Sequence, residues 1–241
     1  MDILKNIEIL KFNGIKAIIF DFDNTISSTN KSLFEVLSKL FLKEFNVVLC
    51  REDVMKILRM NSALVEMFES ILNLKSNLQI KISAVDLYAL FKTKYSDYQY
   101  YTEFAFLEWF KVLIQNKIKI AIVSNRKFGL RDRLRQLGFK NDDFIAVISR
   151  QDGFAAKPEP AMFMHVYDKL SKEGIKANQI ISVGDHVTDF KISEYMGFHF
   201  FAYCKYTSFK DEFEDSGLLP DFIFENWNNF NKVLEEKFKQ L

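Results

Sequence analysis

The chain has 241 residues, of which 49% are hydrophobic, and it carries a formal net charge of +1. This length and apolar content, with 26 phenylalanines, predict a folded protein with a substantial core and exclude a disordered one. The small net charge argues against a nucleic-acid-binding protein and against one that binds anionic membranes.

The N-terminal residues and the two cysteines bear on the cellular compartment. The first residues lack a basic segment followed by an apolar one, and no apolar run approaches membrane-spanning length. We therefore expect neither a signal peptide nor a membrane helix. Cys50 and Cys204 lie far apart without metal-ligand spacing, which favours buried free thiols. Together these features predict a cytoplasmic protein.

The first predicted strand, residues 16–20, contains a short apolar run, residues 17–20, of the kind that is buried on both faces of a parallel sheet. After a polar linker, residues 31–94 show helical periodicity and no convincing strand. Their apolar stripes predict four helices, and Ser32 and Glu35 have the spacing of a capping box at the first of them. We interpret residues 28–102 as an inserted α-helical cap domain.

Strands and helices alternate regularly in the rest of the chain. The predicted strands are residues 119–123, 144–148, 179–183, 199–204 and 221–224. Helices are predicted around Leu130, at 158–172 with Pro158 in the first turn, at 187–196, and from about residue 228. These repeated units predict an α/β fold with a doubly wound parallel sheet and right-handed crossovers, formed by residues 1–27 and 103–241.

Two carboxylates, Asp21 and Asp23, directly follow the first strand. Because open α/β sheets bind ligands at the carboxyl ends of their strands, these side chains are placed for function. Crowded carboxylates repel each other and resist burial unless a cation or a proton compensates them. The acid pair therefore indicates a site for a hard divalent metal ion.

Three further motifs follow in the second half of the chain. The first strand after the cap ends in Ser124 and Asn125, where a hydroxyl and nearby backbone N–H groups could hold an anionic ligand. Lys157, in a K-P-x-P sequence, would neutralise the clustered carboxylates. A G-D-x-x-x-D sequence places Asp185 at a strand tip and Asp189 about one helical turn later, an arrangement that suits Mg²⁺.

Asp21-Phe22-Asp23-Asn24-Thr25 resembles the D-x-D-x-T motif of the haloacid dehalogenase-like (HAD) superfamily, and the other three motifs match that superfamily's pattern in order. The resemblance covers nearly the whole chain, and the helical insertion has the position of the cap in one HAD class. It departs from that pattern at residues 95–102, which lack the Pro-Gly often found there. The resemblance implies a Rossmann-like core and a capped phosphatase similar to phosphoglycolate phosphatase-like enzymes.

The resemblance also implies a cofactor, a substrate class and a role for each motif residue. Asp21 would be the nucleophile that becomes an aspartyl-phosphate, Asp23 the general acid and then the base, and Lys157 the third catalytic residue. The expected Mg²⁺ ligands are Asp21, Asp23, Asp185 and Asp189. The expected substrate-binding residues are Thr25, Ser124, Asn125 and Lys157. The expected partner is a small phosphorylated metabolite, without nucleic acid or membrane, and the protein would be a monomer or a homodimer.

Some of these assignments remain open on the sequence alone. Asp23 would contribute its backbone carbonyl to the metal, and Asp189 would bind the ion through water or orient Lys157 instead. Taken singly, Asp185 and Asp189 could be acids at a helix N-terminus and Lys157 a solvated loop lysine. We interpret the basic residues from Arg126 onward as solvated helix surface.

Three other functions are compatible with parts of the pattern. A phosphomutase of the β-phosphoglucomutase type would share the core and the cap position. A protein of this fold could also bind a phosphorylated ligand or a partner without turnover. A dehalogenase is disfavoured because that branch lacks an Asp at the position of Asp23 and needs no metal.

Overall fold

The computed structural model describes residues 3–60, 64–75, 80–205 and 208–238. The strands in these ranges are β1 (Ala17–Phe20), β2 (Lys119–Ser124), β3 (Ala146–Ser149), β4 (Ile180–Gly184), β5 (His199–Tyr203) and β6 (Ile223–Phe224). The helices are α1 (Ile3–Phe12), α2 (Thr29–Phe45), α3 (Arg51–Met60), α4 (Leu64–Leu74), α5 (Ala84–Lys94), α6 (Phe106–Gln115), α7 (Leu130–Gln136), α8 (Ala161–Lys172), α9 (Val187–Met196), α10 (Ser208–Asp215) and α11 (Phe230–Phe238). The chain divides into two compact units, one of Met1–Ser27 with Thr102–Leu241 and one of Ser28–Tyr101.

The first unit contains a parallel sheet with the strand order β3-β2-β1-β4-β5-β6. The chain builds outward from β1 through β2 to β3, and then returns to the other side of β1 with β4. The strand order therefore reverses beside β1, which is where doubly wound sheets place their ligands. The predicted α/β fold class is confirmed.

Strand β1 is buried on both faces, as its uninterrupted apolar run predicts. Ile18 and Phe20 belong to one hydrophobic cluster, with α1, α6, α7 and α11. Ala17 and Ile19 face the opposite cluster, to which α8 and α9 contribute. Because side chains alternate along a strand and both faces are covered, all four are apolar and no polar alternation appears in the sequence.

The C-terminal segment packs against the loop that follows β1. Trp227 is completely buried, and its indole Nε1 donates a hydrogen bond to the backbone oxygen of Thr25 at 3.2 Å. The indole of Trp109, on α6, in turn donates to the backbone oxygen of Trp227 at 3.0 Å. A chain of two buried hydrogen bonds thus connects α6, the C-terminal segment and the loop after β1.

The second unit is α-helical, and its helices α2 to α5 lie where the sequence predicts four. They share a core in which Phe68 contacts Phe91 at a ring-centroid distance of 5.6 Å, together with buried leucines such as Leu37 and Leu87. The predicted capping box is wrong. Helix α2 begins at Thr29, before Ser32, and the Ser32 backbone N–H donates to the oxygen of Ser28 within the first turn.

Four further details differ from the sequence predictions. Pro158 is not in the first turn of α8, which begins at Ala161 after a cis Lys157–Pro158 peptide. Cys204 is a buried free thiol as expected, but Cys50 is exposed. The sequence pattern predicts neither α1, which spans residues 3–12, nor α10. Within the described ranges, the helices are all too short or too polar to cross a bilayer.

Candidate active site

The carboxyl ends of β2, β1 and β4 lie side by side and carry three of the four sequence motifs. Phe20 of β1 is level with Ile122 of β2 and Val183 of β4. Asp21 follows Phe20 directly, and Ser124 and Asp185 lie two residues beyond Ile122 and Val183, so these three residues meet at one edge of the sheet. The fourth motif residue, Lys157, comes from the segment between β3 and α8.

The Lys157 ammonium group is buried at this edge and has three acceptors. Its Nζ lies 2.5 Å from Oδ1 of Asp21, 2.7 Å from Oδ1 of Asp189 and 3.3 Å from the backbone oxygen of Val123. Since an ammonium group has three donors, this set satisfies it. Burial alone would lower the pKa of Lys157, but the carboxylates of Asp189 and Asp21 outweigh that effect and raise it above the usual value. The interpretation of Lys157 as a solvated loop lysine is therefore wrong.

Asn125 fixes the backbone of Lys157. Its side-chain oxygen accepts a hydrogen bond from the Lys157 backbone N–H at 2.7 Å, and its amide nitrogen donates to the Lys157 backbone oxygen at 3.3 Å. One amide side chain thus holds both backbone groups of the residue whose ammonium reaches Asp21. The predicted contact of Asn125 with substrate remains a prediction, and in this structure its amide contacts the lysine.

The site lacks enough positive charge for all of its carboxylates. Burial, with repulsion from Asp189 and Asp23, raises the pKa of Asp21 to about 7 even though Lys157 opposes the shift. Burial and the charges of Asp21 and Asp189 raise the pKa of Asp185 well above its usual range. Carboxylates whose ionised forms are disfavoured in this way are stabilised by a bound cation.

The arrangement suits an ion that keeps part of its hydration shell. Among the residues that the structure describes, no three His, Cys, Asp or Glu side chains converge as a complete metal cage. Asp21 and Asp185 supply two carboxylates, and Lys157 already occupies one oxygen of Asp189. Mg²⁺ is commonly bound by one or two carboxylates together with water and substrate oxygens, so the donor set fits this ion.

Asp189 lies directly against Gly184, the last residue of β4. A Cβ atom on Gly184 would lie 2.6 Å from the Asp189 carboxylate, so only glycine leaves room for that side chain. Asp189 is buried, and its Oδ2 has no hydrogen-bond partner in the structure, whereas Oδ1 accepts from Lys157. The geometry favours an orienting role for Asp189 toward Lys157. Asp185 does not cap α9, because His186 occupies the N-cap position.

We expect Gly184→Ala to lower the rate of a reaction at this site by at least about tenfold, because small displacements of reacting groups have large effects. The new methyl group would displace the Asp189 carboxylate and, through it, Lys157. Steady-state kinetics of the variant, with its melting temperature as a check on folding, measure this effect. Unchanged turnover would show that the position of Asp189 does not matter for the reaction.

Asp23 is paired with an arginine that the sequence interpretation assigned to solvated surface. The Nε of Arg126 lies 2.9 Å from Oδ2 and 3.1 Å from Oδ1 of Asp23, and the guanidinium lies over the ring of Phe22 at 5.5 Å. The Arg126 backbone N–H also donates to the hydroxyl of Ser124 at 3.2 Å. Only its position two residues after Ser124 could have indicated this role.

The loop between β1 and α2 is a tight turn stabilised by its own backbone. Asn24 has a φ of 58°, a left-handed conformation that Asn adopts more readily than most residues, and its N–H donates to the oxygen of Ser27 at 2.7 Å. Thr25 is completely buried, and its hydroxyl has no hydrogen-bond partner in the structure. Its substrate-binding role remains a prediction, and its burial favours a structural one.

The fold and the carboxylates grouped around a buried lysine define an α/β enzyme of the haloacid dehalogenase type. The chain belongs to the haloacid dehalogenase-like hydrolase family, whose sequence model matches residues 18–203. The match includes all four motifs and ends before the segment that carries Trp227. The family resemblance that the motifs indicated is confirmed. No protein with a curated description matches the chain.

Solved structures show the same fold at low sequence identity. A candidate phosphoglycolate phosphatase from Lactobacillus delbrueckii subsp. bulgaricus is 19% identical with a TM-score of 0.65, over 91% of this chain and 98% of that one. A HAD-superfamily hydrolase of subfamily IA, variant 1, from Geobacter sulfurreducens is 20% identical with a TM-score of 0.62, over 92% and 97%. The candidate HAD-hydrolase YfnB from Bacillus subtilis, bound to magnesium, is 18% identical with a TM-score of 0.64, over 92% and 99%.

Proposed function

We propose that this protein is a Mg²⁺-dependent phosphatase that hydrolyses a small phosphate monoester through an aspartyl-phosphate on Asp21. The observation that carries the proposal is the buried cluster in which Lys157 holds one oxygen of Asp21 at 2.5 Å while Asp23 lies two residues further along the same loop. This cluster provides a fixed nucleophile, a cation beside it and a second carboxylate for proton transfer. The names of the structural neighbours, a candidate phosphoglycolate phosphatase and a magnesium-bound hydrolase, are consistent with it.

In the first step, the second carboxylate oxygen of Asp21 attacks the phosphorus of the ester. The bond between phosphorus and the alcohol oxygen breaks, and Asp23 transfers a proton to that oxygen so that a neutral alcohol leaves. Lys157 stabilises the negative charge on the transferring phosphoryl group, because its ammonium lies against the nucleophile. The side chain of Asn125 keeps Lys157 in this position.

In the second step, the carboxylate of Asp23 accepts a proton from water while the water oxygen attacks the phosphorus of the aspartyl-phosphate. The bond between phosphorus and the Asp21 oxygen breaks, which releases inorganic phosphate and restores both carboxyl groups. Ser124, a buried residue at the end of β2, would donate its hydroxyl to a phosphoryl oxygen.

Asp21, Asp185 and the backbone carbonyl of Asp23 would hold Mg²⁺, with water completing its shell. The ion would supply positive charge to the phosphoryl oxygens and to the crowded carboxylates. The side chain of Asp189 would orient Lys157, and the side chain of Asp23 would transfer protons. We place the protein in the cytoplasm, with a small phosphorylated metabolite as its substrate.

We expect hydrolysis of 4-nitrophenyl phosphate only in the presence of Mg²⁺, and its loss when the protein is treated with a chelator. Restoring Mg²⁺ should restore the rate, whereas Ca²⁺, which is larger and prefers more ligands, should not. Phosphate release is the measurement, and the melting temperature of the metal-free protein shows that it stays folded. Full activity of a rigorously metal-free protein would contradict the proposal.

Two alternative functions give different results in the same assay. A phosphomutase would release little phosphate, and its turnover would depend on a bisphosphate. A binding protein would bind phosphorylated ligands in the presence of metal without forming product, and Asp21→Asn would not weaken that binding.

A further inference from the structure

We propose that Trp227, in the C-terminal segment beyond the family match, is a positioning residue for proton transfer by Asp23. This role rests on the proposed function, because it concerns the carboxylate that would protonate the leaving alcohol. Trp227 lies outside residues 18–203, to which the family model extends. The family pattern itself therefore assigns it no role.

The side chain of Trp227 is held in place by contacts other than its hydrogen bond to the loop. Its side chain is completely buried, stacks on Tyr203 with ring centroids 5.5 Å apart and has Phe106 edge-on at 5.0 Å. Its backbone oxygen accepts the hydrogen bond from Trp109 at 3.0 Å. Because neighbouring rings pack against the indole and the backbone of the residue is also bonded, the indole N–H has a fixed direction.

The indole N–H of Trp227 points toward the turn that carries Asp23. The Nε1 of Trp227 donates to the backbone oxygen of Thr25 at 3.2 Å. The same turn is closed by the 2.7 Å bond from the Asn24 N–H to the oxygen of Ser27, and Asp23 pairs with Ser27 across it. Thr25 is wholly buried, so its carbonyl has no access to solvent if the indole N–H is removed.

Loss of the hydrogen bond from Trp227 to Thr25 would affect proton transfer by Asp23 more than nucleophilic attack by Asp21. Asp21 is held separately, by its backbone bond to Val183 at 2.9 Å and by Lys157. Asp23 lies further along the loop, inside the turn that Trp227 anchors. A turn that no longer satisfies its buried carbonyl would shift, and the carboxylate of Asp23 would move relative to the leaving oxygen while the nucleophile stayed in place.

The test is the Trp227→Phe variant, which removes the N–H and keeps an aromatic ring, assayed with two esters that differ in their need for an acid. An alkyl phosphate needs a proton on its leaving oxygen, whereas 4-nitrophenyl phosphate has a leaving group that departs as an anion. We expect kcat/KM for the alkyl ester to fall by at least about tenfold and kcat/KM for the nitrophenyl ester by less than about twofold, as expected for a displaced general acid.

The control is Phe163→Leu, which shortens a buried aromatic side chain in the hydrophobic cluster on the opposite face of the sheet. We expect this variant to alter both esters equally. Equal loss on both esters with Trp227→Phe, or no loss on either, would overturn the role of Trp227 while leaving the phosphatase intact. Absence of hydrolysis by the wild type would instead overturn the proposed function, and this role with it.

Discussion

The Asp21→Asn variant is expected to release phosphate at least about 10⁴-fold more slowly than the wild type, because an amide cannot act as the nucleophile. The fold should persist. Asparagine has nearly the shape of aspartate, and its side-chain oxygen can still accept the hydrogen bond that Lys157 donates to Asp21. Phosphate release from 4-nitrophenyl phosphate and thermal unfolding, measured on the same preparation, test both statements.

The control for this variant is Asp142→Asn, the same change at an exposed position between α7 and β3. It should match the wild type in both measurements. An Asp21→Asn protein that keeps a tenth of the wild-type rate would show that another group attacks the phosphorus and that Asp21 is not the nucleophile.

The second large effect is expected for Lys157→Met, which keeps the length of the side chain and removes its charge. The variant would leave Asp21 and Asp189 buried without their cation, so turnover should fall by at least about 10³-fold. Removing one partner of a buried ion pair also destabilises the fold, here by about 3 kcal/mol in the metal-free protein at neutral pH. Urea unfolding monitored by circular dichroism measures the loss of stability.

Lys127→Met is the matched control, because Lys127 is an exposed lysine in the loop that follows β2. Its stability and turnover should stay within about 0.5 kcal/mol and twofold of the wild type, as for an ordinary surface substitution. If Lys157→Met proved as stable and as active as this control, the buried lysine would have neither the structural nor the catalytic role that its contacts indicate.

The sheet and the position of the motifs could be predicted because they depend on local signals. A run such as residues 17–20 is apolar at every position only when both faces are covered, and Gly197 ends α9 in the left-handed conformation that the sequence indicates. Helix boundaries were less predictable where the sequence contains a capping pattern but the backbone becomes helical at a different residue. Ser32 has the residue type and spacing of a cap, yet the chain is already helical from Thr29.

The contacts that orient the site could not be predicted because they join distant parts of the chain. Arg126 resembles its basic neighbours in sequence, and only folding brings it to Asp23, 103 positions earlier. Trp227 is a core aromatic by its pattern, and its bond to Thr25 spans 202 positions. Asn125 was expected to contact substrate, and its bonds to Lys157 depend on where the segment before α8 passes.

The most direct test of the account is whether a phosphoryl group becomes attached to Asp21 during the reaction. In Asp23→Asn the base that activates water is missing, while 4-nitrophenolate can still leave without a proton. We expect a rapid burst of one nitrophenolate per enzyme followed by slow turnover, with the mass of one phosphoryl group on the peptide that contains Asp21. A variant that shows neither a burst nor a phosphorylated peptide, while the wild type hydrolyses the same ester, would contradict the covalent mechanism.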